Sequence, residues 1–154
     1  QNVVNRTKSI CVGLEPCVIP ALGHSNFKIE DGTMEFGVGH HGEAGTKVEK
    51  LKSASEMAQE MAETILNDFD FEEGKEVAVM LSGLGATPVM ELYVLYDEVE
   101  KVLAKAGHKV WKTYIGNYVT SLDMNGASLT IVDLDDEIKE LLSEPAVPIG
   151  MKNY

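Results

Sequence analysis

One run of five apolar residues constrains the fold of this chain more than any other feature. Residues 77–81, Val-Ala-Val-Met-Leu, are apolar without alternation, which is typical of a β-strand covered on both faces. A helical pattern follows over residues 87–107, and a second strand-like run occupies residues 110–115. The three segments predict a right-handed parallel crossover, with residues 77–81 as a central strand.

Two helices carry start signals in the sequence. Ser53 opens a capping box, and apolar residues then repeat at helical spacing as far as Phe69. Thr87 is expected to cap the next helix, because Pro88 suits a first helical position and Gly107 follows the last turn. These signals predict one amphipathic helix before the central strand in the sequence and one after it.

The remaining segments complete an alternation of strands and helices. Further strands are predicted at residues 9–14, 33–38 and 127–132, with a short helix at residues 135–142, loops at residues 20–32 and 116–126, and a linker or docking arm at residues 145–154. This order predicts a single α/β domain over residues 1–154, built as a layered sheet flanked by helices.

The composition excludes several classes of partner. The 154 residues include 25 Asp and Glu against 13 Lys and Arg, a net charge of −12, which disfavours nucleic acid and anionic lipid. No apolar run approaches the ~20 residues of a membrane helix, and the first residues lack the apolar core of a signal peptide, so a cytoplasmic protein is expected. Cys11 and Cys17 have neither zinc nor redox spacing and are predicted to be buried free thiols.

A glycine-rich turn follows the central strand at residues 83–88. It lacks the third Gly or Ala of a dinucleotide fingerprint, because Pro88 stands at that position. The Gly-Lys-Ser/Thr of a P-loop occurs nowhere in the chain. The turn is therefore either an anion site at a helix N-terminus or, twice as favoured, a tight connection between strand and helix.

Two histidines, His40 and His41, stand where the strand at residues 33–38 runs into a glycine-rich end. The order His-Gly-Glu resembles a zinc deaminase motif, but the downstream Pro-Cys-x-x-Cys is missing, and adjacent strand residues face opposite ways, so no metal site is predicted. Neutral imidazole is a nucleophile near neutral pH, and Glu43 could fix its tautomer. The residues alone leave a functional histidine and exposed loop histidines equally open, while His24 and His108 are expected at the surface.

Several segments in order resemble the dihydroxyacetone kinases, in the second half of their dihydroxyacetone-binding subunit. They span nearly the whole chain: Pro-Cys-Val-Ile-Pro at residues 16–20, Met-Glu-Phe-Gly-Val-Gly-His-His-Gly-Glu at 34–43, Leu-Gly-Ala-Thr-Pro at 84–88 with Glu-Leu-Tyr at 91–93, Gly-Asn-Tyr-Val-Thr-Ser-Leu-Asp-Met at 116–124 and Asp-Asp-Glu at 135–137. Departures from the family pattern are His40 before the reactive position, Ser82-Gly83, and Ala127. They indicate a divergent branch with an altered substrate preference.

The resemblance implies that His41 forms a covalent hemiaminal with the carbonyl carbon of dihydroxyacetone, while Glu43 orients its ring. Only a carbonyl accepts imidazole attack, so glycerol is rejected. The resemblance further implies that the captured ketose is phosphorylated in glycerol metabolism by ATP or a phosphotransferase-system donor, with Mg, on another domain or subunit. Family subunits are about twice as long and carry acid/base residues in their first half, so this segment alone is expected to be inactive.

The resemblance is compatible with two different functions. One is a kinase component with a nucleotide-binding partner subunit; the other is a non-catalytic paralogue that senses dihydroxyacetone and coactivates transcription. A generic binding domain without carbonyl chemistry is the third reading. A homodimer is expected, because family subunits dimerise and because Trp111 and Tyr114 are expected to be exposed.

Overall fold

The computed structural model describes residues 1–25, 27–68 and 74–151. Six strands and four helices occupy these ranges. The strands are β1 (Thr7–Glu15), β2 (Thr33–Phe36), β3 (Lys47–Lys50), β4 (Glu76–Gly83), β5 (Lys109–Gly116) and β6 (Asn125–Asp133). The helices are α1 (Asn2–Asn5), α2 (Ala54–Asn67), α3 (Val89–Lys105) and α4 (Asp136–Ser143).

The strands form one mixed sheet in the order β3-β2-β1-β6-β4-β5. β4 and β5 pair in parallel across α3, and the other neighbouring strands pair in antiparallel fashion. The predicted parallel crossover is therefore confirmed. β4 lies between β6 and β5, which confirms the apolar run as an interior strand.

Helices cover the sheet on both faces, as the continuous apolar run predicts. Val77, Val79 and Leu81 are fully buried in the main core, which also contains the apolar residues of α2 and α3. Ala78 points to the opposite face, where it packs with Leu134 and with Ile138 of α4. The layered α/β architecture predicted from the sequence is confirmed.

Two helices begin with a side-chain cap, and the sequence predicts the one at Ser53 from its capping box. The Ser53 hydroxyl accepts the N–H of Glu56, and the Glu56 carboxylate accepts the N–H of Ser53 at 3.0 Å, so the capping box is formed. Asp135 caps α4 by accepting the N–H of Ile138 at 2.8 Å. Phe69, the predicted end of the first helix, lies outside the described residues, as do residues 152–154 of the predicted tail.

The predicted cap of α3 is wrong, because the N-cap is Pro88 and not Thr87. The Thr87 hydroxyl donates to the carbonyl of Gly126 at 2.6 Å and accepts the N–H of Gly126 at 2.8 Å. Thr87 therefore joins the start of α3 to the start of β6 instead of accepting a hydrogen bond from an N–H group in the first turn of α3. Gly107 follows the helix with φ +84°, as expected for a glycine beyond a helix end.

Other differences concern strands and surface residues. β2 ends at Phe36, because Gly37 takes φ +80°, so the histidines lie in a turn and not on a strand end. β3 and α1 are not predicted from the sequence. Trp111 and Tyr114 are partly buried instead of exposed, which removes their exposure as an argument for dimerisation.

Candidate functional site

The histidine turn, residues 37–45, connects β2 to the segment that leads into β3. The N–H of Gly39 donates to the carbonyl of Glu43 at 2.9 Å, and the N–H of Gly42 donates to the carbonyl of Gly39 at 3.2 Å. Gly42 has φ +84°, which a residue with a Cβ adopts only at a cost. The backbone therefore reverses over His40 and His41 and returns at Glu43.

The two histidines of this turn have opposite surroundings. The ring of His40 points inwards: its Nδ1 lies 3.8 Å from the Sγ of Cys11, and its Nε2 is buried without a hydrogen-bond partner among the described residues. The side chain of His41 is 91% exposed. His41 is therefore the more exposed of the two histidines, whereas His40 packs towards β1.

Glu43 contacts His41 through both its backbone and its ring. One carboxylate oxygen accepts the N–H of His41 at 3.0 Å, and the other lies 3.6 Å from the ring Nδ1. Hydrogen bonds from the backbone N–H groups of Glu43 itself and of His41 hold the pKa of the Glu43 carboxyl below its usual value. An ionised carboxylate beside Nδ1 favours a proton there, which leaves Nε2 as the open nitrogen.

A cavity of about 360 Å³ opens beside the turn. Its lining combines the turn with two other segments: Cys17, Ile19, His40, His41, Gly42, Thr120, Ser121 and Leu122. Cys11 and Cys17 are buried free thiols, as predicted, and burial raises the pKa of the Cys11 thiol. Cys11 thus stays protonated and apolar beneath the turn.

In the glycine-rich turn at residues 83–88, backbone N–H groups donate hydrogen bonds to carbonyls of the protein itself. The N–H of Leu84 donates to the carbonyl of Gly126 at 3.2 Å, and the N–H of Ala86 donates to the carbonyl of Met124 at 3.1 Å. A Cβ at Gly85 would lie 1.9 Å from the carbonyl oxygen of Leu122. These contacts fit the tight strand-to-helix connection and not the anion site.

The other candidate residues lie away from this site. His24 is exposed, as predicted, but the prediction for His108 is wrong, since this histidine is 8% exposed just before β5. Within the described ranges, no three His, Cys, Asp or Glu side chains are grouped to hold a metal ion. None of the helices in those ranges combines the length and apolarity needed to span a bilayer.

Four of the segments that carry the family resemblance, residues 16–20, 34–43, 84–88 and 116–124, are joined by hydrogen bonds around the histidine turn. Ser121 donates its hydroxyl to the carbonyl of His40 at 2.6 Å, and its N–H to the carbonyl of Leu84 at 2.7 Å. Asp123 accepts the N–H of Val18 at 2.7 Å. Sequence reasoning did not single out Ser121, although it lies within a quoted segment, because no local pattern indicates a partner 81 residues away.

The fold and these contacts define a class: a mixed α/β domain with a histidine presented on a turn beside a small cavity. The sequence model of one protein family, the Dak1 domain, matches residues 1–149 of this chain. The chain therefore belongs to the Dak1 family, which confirms the predicted resemblance.

Three known proteins illustrate the similarity. The dihydroxyacetone-binding subunit DhaK of PTS-dependent dihydroxyacetone kinase 1 from Listeria innocua is 41% identical over 137 residues, which cover 89% of this chain and 42% of that protein. The dihydroxyacetone kinase operon co-activator Dha-DhaQ superposes with a TM-score of 0.86 at 29% identity, over 93% of this chain and 45% of its own. The dihydroxyacetone kinase of C. freundii, in complex with AMP-PNP and Mg²⁺, gives a TM-score of 0.79 at 27% identity, over 92% of this chain and 26% of its own. The chain spans less than half the length of each.

Proposed function

We propose that this chain is the ketose-binding part of a dihydroxyacetone kinase, in which His41 captures dihydroxyacetone for phosphorylation to dihydroxyacetone phosphate. The observation that carries the proposal is the placement of His41, whose ring is 91% exposed at the rim of the 360 Å³ cavity with the Glu43 carboxylate at its Nδ1. The name of the Listeria relative, a dihydroxyacetone-binding subunit, supports the choice of ligand.

The proposed capture is an addition in which no group leaves. The lone pair of the His41 Nε2 attacks the carbonyl carbon, and the carbonyl π-electrons move to its oxygen. That oxygen gains one proton, and the ring gives up the proton on Nδ1, next to Glu43. The adduct therefore has the combined mass of protein and ketose. Glu43 acts by holding the ring and its tautomer.

The phosphoryl donor belongs on another domain or subunit. In the turn at residues 83–88, the N–H groups of Leu84 and Ala86 donate to backbone carbonyls, and no three His, Cys, Asp or Glu side chains of the described residues are grouped to hold a metal ion. The donor is ATP, which the AMP-PNP complex of the C. freundii relative supports, or a phosphotransferase-system relay, which the Listeria name supports. The chain would act as the second domain of a cytoplasmic, dimeric subunit and lack kinase activity alone.

The test compares three proteins at full length: the parent, His41→Ala, and His24→Ala as a control for an exposed histidine. Each is mixed with dihydroxyacetone and measured by intact mass under non-denaturing conditions, followed by mapping of the modified peptide. The expected result is one ketose on the parent and on His24→Ala, and none on His41→Ala. A folded parent without an adduct would refute the proposal.

A second function is favoured by the similarity to the co-activator Dha-DhaQ. A sensing paralogue would bind the same ketose through His41 without transferring phosphate to it, and would dock on a transcription regulator. The two functions separate in one assay: the full-length protein is incubated with dihydroxyacetone and either ATP-Mg²⁺ with a nucleotide-binding subunit or a phosphotransferase-system relay. Product formation identifies a kinase; a His41 adduct without product in either arm identifies a sensor.

A further inference from the structure

The buried hydroxyl of Ser121 is the starting point of the inference. Ser121 is 6% exposed, and its hydroxyl donates to the carbonyl of His40 at 2.6 Å. This oxygen belongs to the peptide unit whose N–H is that of His41. Because a peptide unit is planar, a bond to its carbonyl fixes the direction of its N–H as well.

The same peptide unit is held from its other side by Glu43. The N–H of His41 donates to the Glu43 carboxylate at 3.0 Å, opposite to the carbonyl that Ser121 binds. The plane of this unit sets the position of the Cα of His41, from which the imidazole projects. Two hydrogen bonds from two different segments thus fix the backbone that carries this exposed side chain.

Ser121 is itself firmly placed by the backbone around it. Its N–H donates to the carbonyl of Leu84 at 2.7 Å, and its carbonyl accepts the N–H of Met124 at 3.0 Å. The next residue, Leu122, has φ +54°, a conformation that non-glycine residues adopt only where their surroundings impose it. The carbonyl of Leu122 fills the space that a side chain at Gly85 would need.

We propose that Ser121 is a positioning residue for His41, acting through the His40–His41 peptide unit. It links the backbone at Leu84, directly after β4, to the turn that presents the imidazole. The inference rests on the proposed capture of a ketose by His41, and it adds a residue of the cavity lining whose hydroxyl bonds to the backbone of the histidine turn and not to the imidazole.

The test uses Ser121→Ala in the full-length protein, with Thr87→Val as the matched control. Thr87 is also 6% exposed, and its hydroxyl also bonds to backbone groups, those of Gly126, and to the side chain of Asn125. These groups belong to the start of β6 and not to the histidine turn. Two quantities are measured: the dissociation constant of the dihydroxyacetone adduct, and the NMR signals of the His41 amide and ring without ligand. Urea unfolding of both variants gives their stability.

Ser121→Ala is expected to weaken the adduct by about three- to tenfold, the effect of losing one hydrogen bond, and to shift or broaden the His41 signals. Thr87→Val is expected to lose stability while keeping both His41 readouts. Parent-like binding and signals in Ser121→Ala, or equal effects in both variants, would overturn the inference. If Ser121→Ala does not fold, Ser121→Cys, with its weaker S–H donor, is read by the same criteria.

Failure of the proposed function is distinguishable from failure of this inference. A parent that forms no adduct removes the capture chemistry, whereas the ligand-free His41 signals still report whether Ser121 fixes the turn. An adduct that is insensitive to Ser121→Ala leaves the capture chemistry standing and removes only the positioning role.

Discussion

Two glycine-rich turns leave the sheet of this domain, and they differ in what they leave exposed. In the connection at residues 83–88, the amides of Leu84 and Ala86 and the hydroxyl of Thr87 all bind backbone groups of the protein. In the histidine turn, the backbone is equally well bonded, but the ring of His41 and the carboxylate of Glu43 remain exposed. Glycine content therefore indicates tight backbone geometry, and the polar groups left exposed indicate a site.

The largest effect is expected from Gly85→Ala, in the connection at residues 83–88. The new Cβ would lie 1.9 Å from the backbone carbonyl of Leu122, and Gly85 has φ +131°. Because a backbone atom cannot rotate away, we expect the free energy of unfolding to fall by at least about 3 kcal/mol. Urea unfolding followed by circular dichroism measures the loss.

Gly74→Ala is the control for backbone conformation alone. Gly74 also has a positive φ, +83°, but no atom of the described residues lies within 4 Å of the place that a Cβ would take there. We expect a loss of about 1 kcal/mol at this position. Equal losses in the two variants would show that the Leu122 contact is unimportant, and the rigid link from β4 to Ser121 would have to be abandoned.

The elements of this fold that depend on local signals could be predicted from the sequence. The apolar run in β4 and the capping box at Ser53 both form where expected, because each is decided within a few residues. β3 could not be predicted, since Lys47–Lys50 has charged residues on both sides of Val48 and is held by its pairing with β2. The role of Thr87 escapes local reasoning in the same way, because its partner, Gly126, is 39 residues away.

The candidate site was predictable only in part. His41 and Glu43 follow from the resemblance to the family, and the structure places them in contact, although their roles stay predictions. The inward direction of His40 and the bond from Ser121 depend on segments that are distant in sequence. Local periodicity carries no information on such contacts, so these two contacts appear only in the structure.

A smaller effect is expected from Gly39→Ala, which tests the turn that carries the exposed groups. A Cβ at Gly39 would lie 2.1 Å from a carboxylate oxygen of Glu43 and 2.8 Å from its Cβ. The carboxylate can rotate away, but the Cβ moves only with the backbone of the turn. We therefore expect about 1 to 2 kcal/mol of lost stability, and adduct formation at His41 weakened by about three- to tenfold. The dissociation constant for dihydroxyacetone and urea unfolding are measured together.

The double variant Gly39→Ala, Glu43→Gln decides whether the two residues act as one unit. If Gly39→Ala acts by displacing the carboxylate, the double variant binds no more weakly than Glu43→Gln alone. Additive losses would show instead that Gly39 affects His41 through the backbone. The contact between Glu43 and the ring would then be incidental to capture.

The smallest expected effect is a pH dependence confined to the histidine turn. The pKa of the Glu43 carboxyl is held below its usual 4.5 in the folded protein by the backbone N–H groups of Glu43 and His41. A carboxyl with a lowered folded pKa contributes stability above pH 4.5 and loses that contribution as pH falls through the folded pKa. Since Glu43 is exposed, solvent screening keeps the global effect slight, and a local measurement is required.

NMR titration of the Glu43 carboxyl carbon and the His41 amide provides this measurement. Both signals should move with one midpoint below pH 4.5, and the movement of the His41 amide should vanish in Glu43→Gln. The Ala86 amide should stay still over the same range, because its acceptor is the backbone carbonyl of Met124. A midpoint at or above pH 4.5 would mean that the carboxylate does not hold the His41 peptide unit. The two turns would then differ only in how far their polar side chains are exposed to solvent.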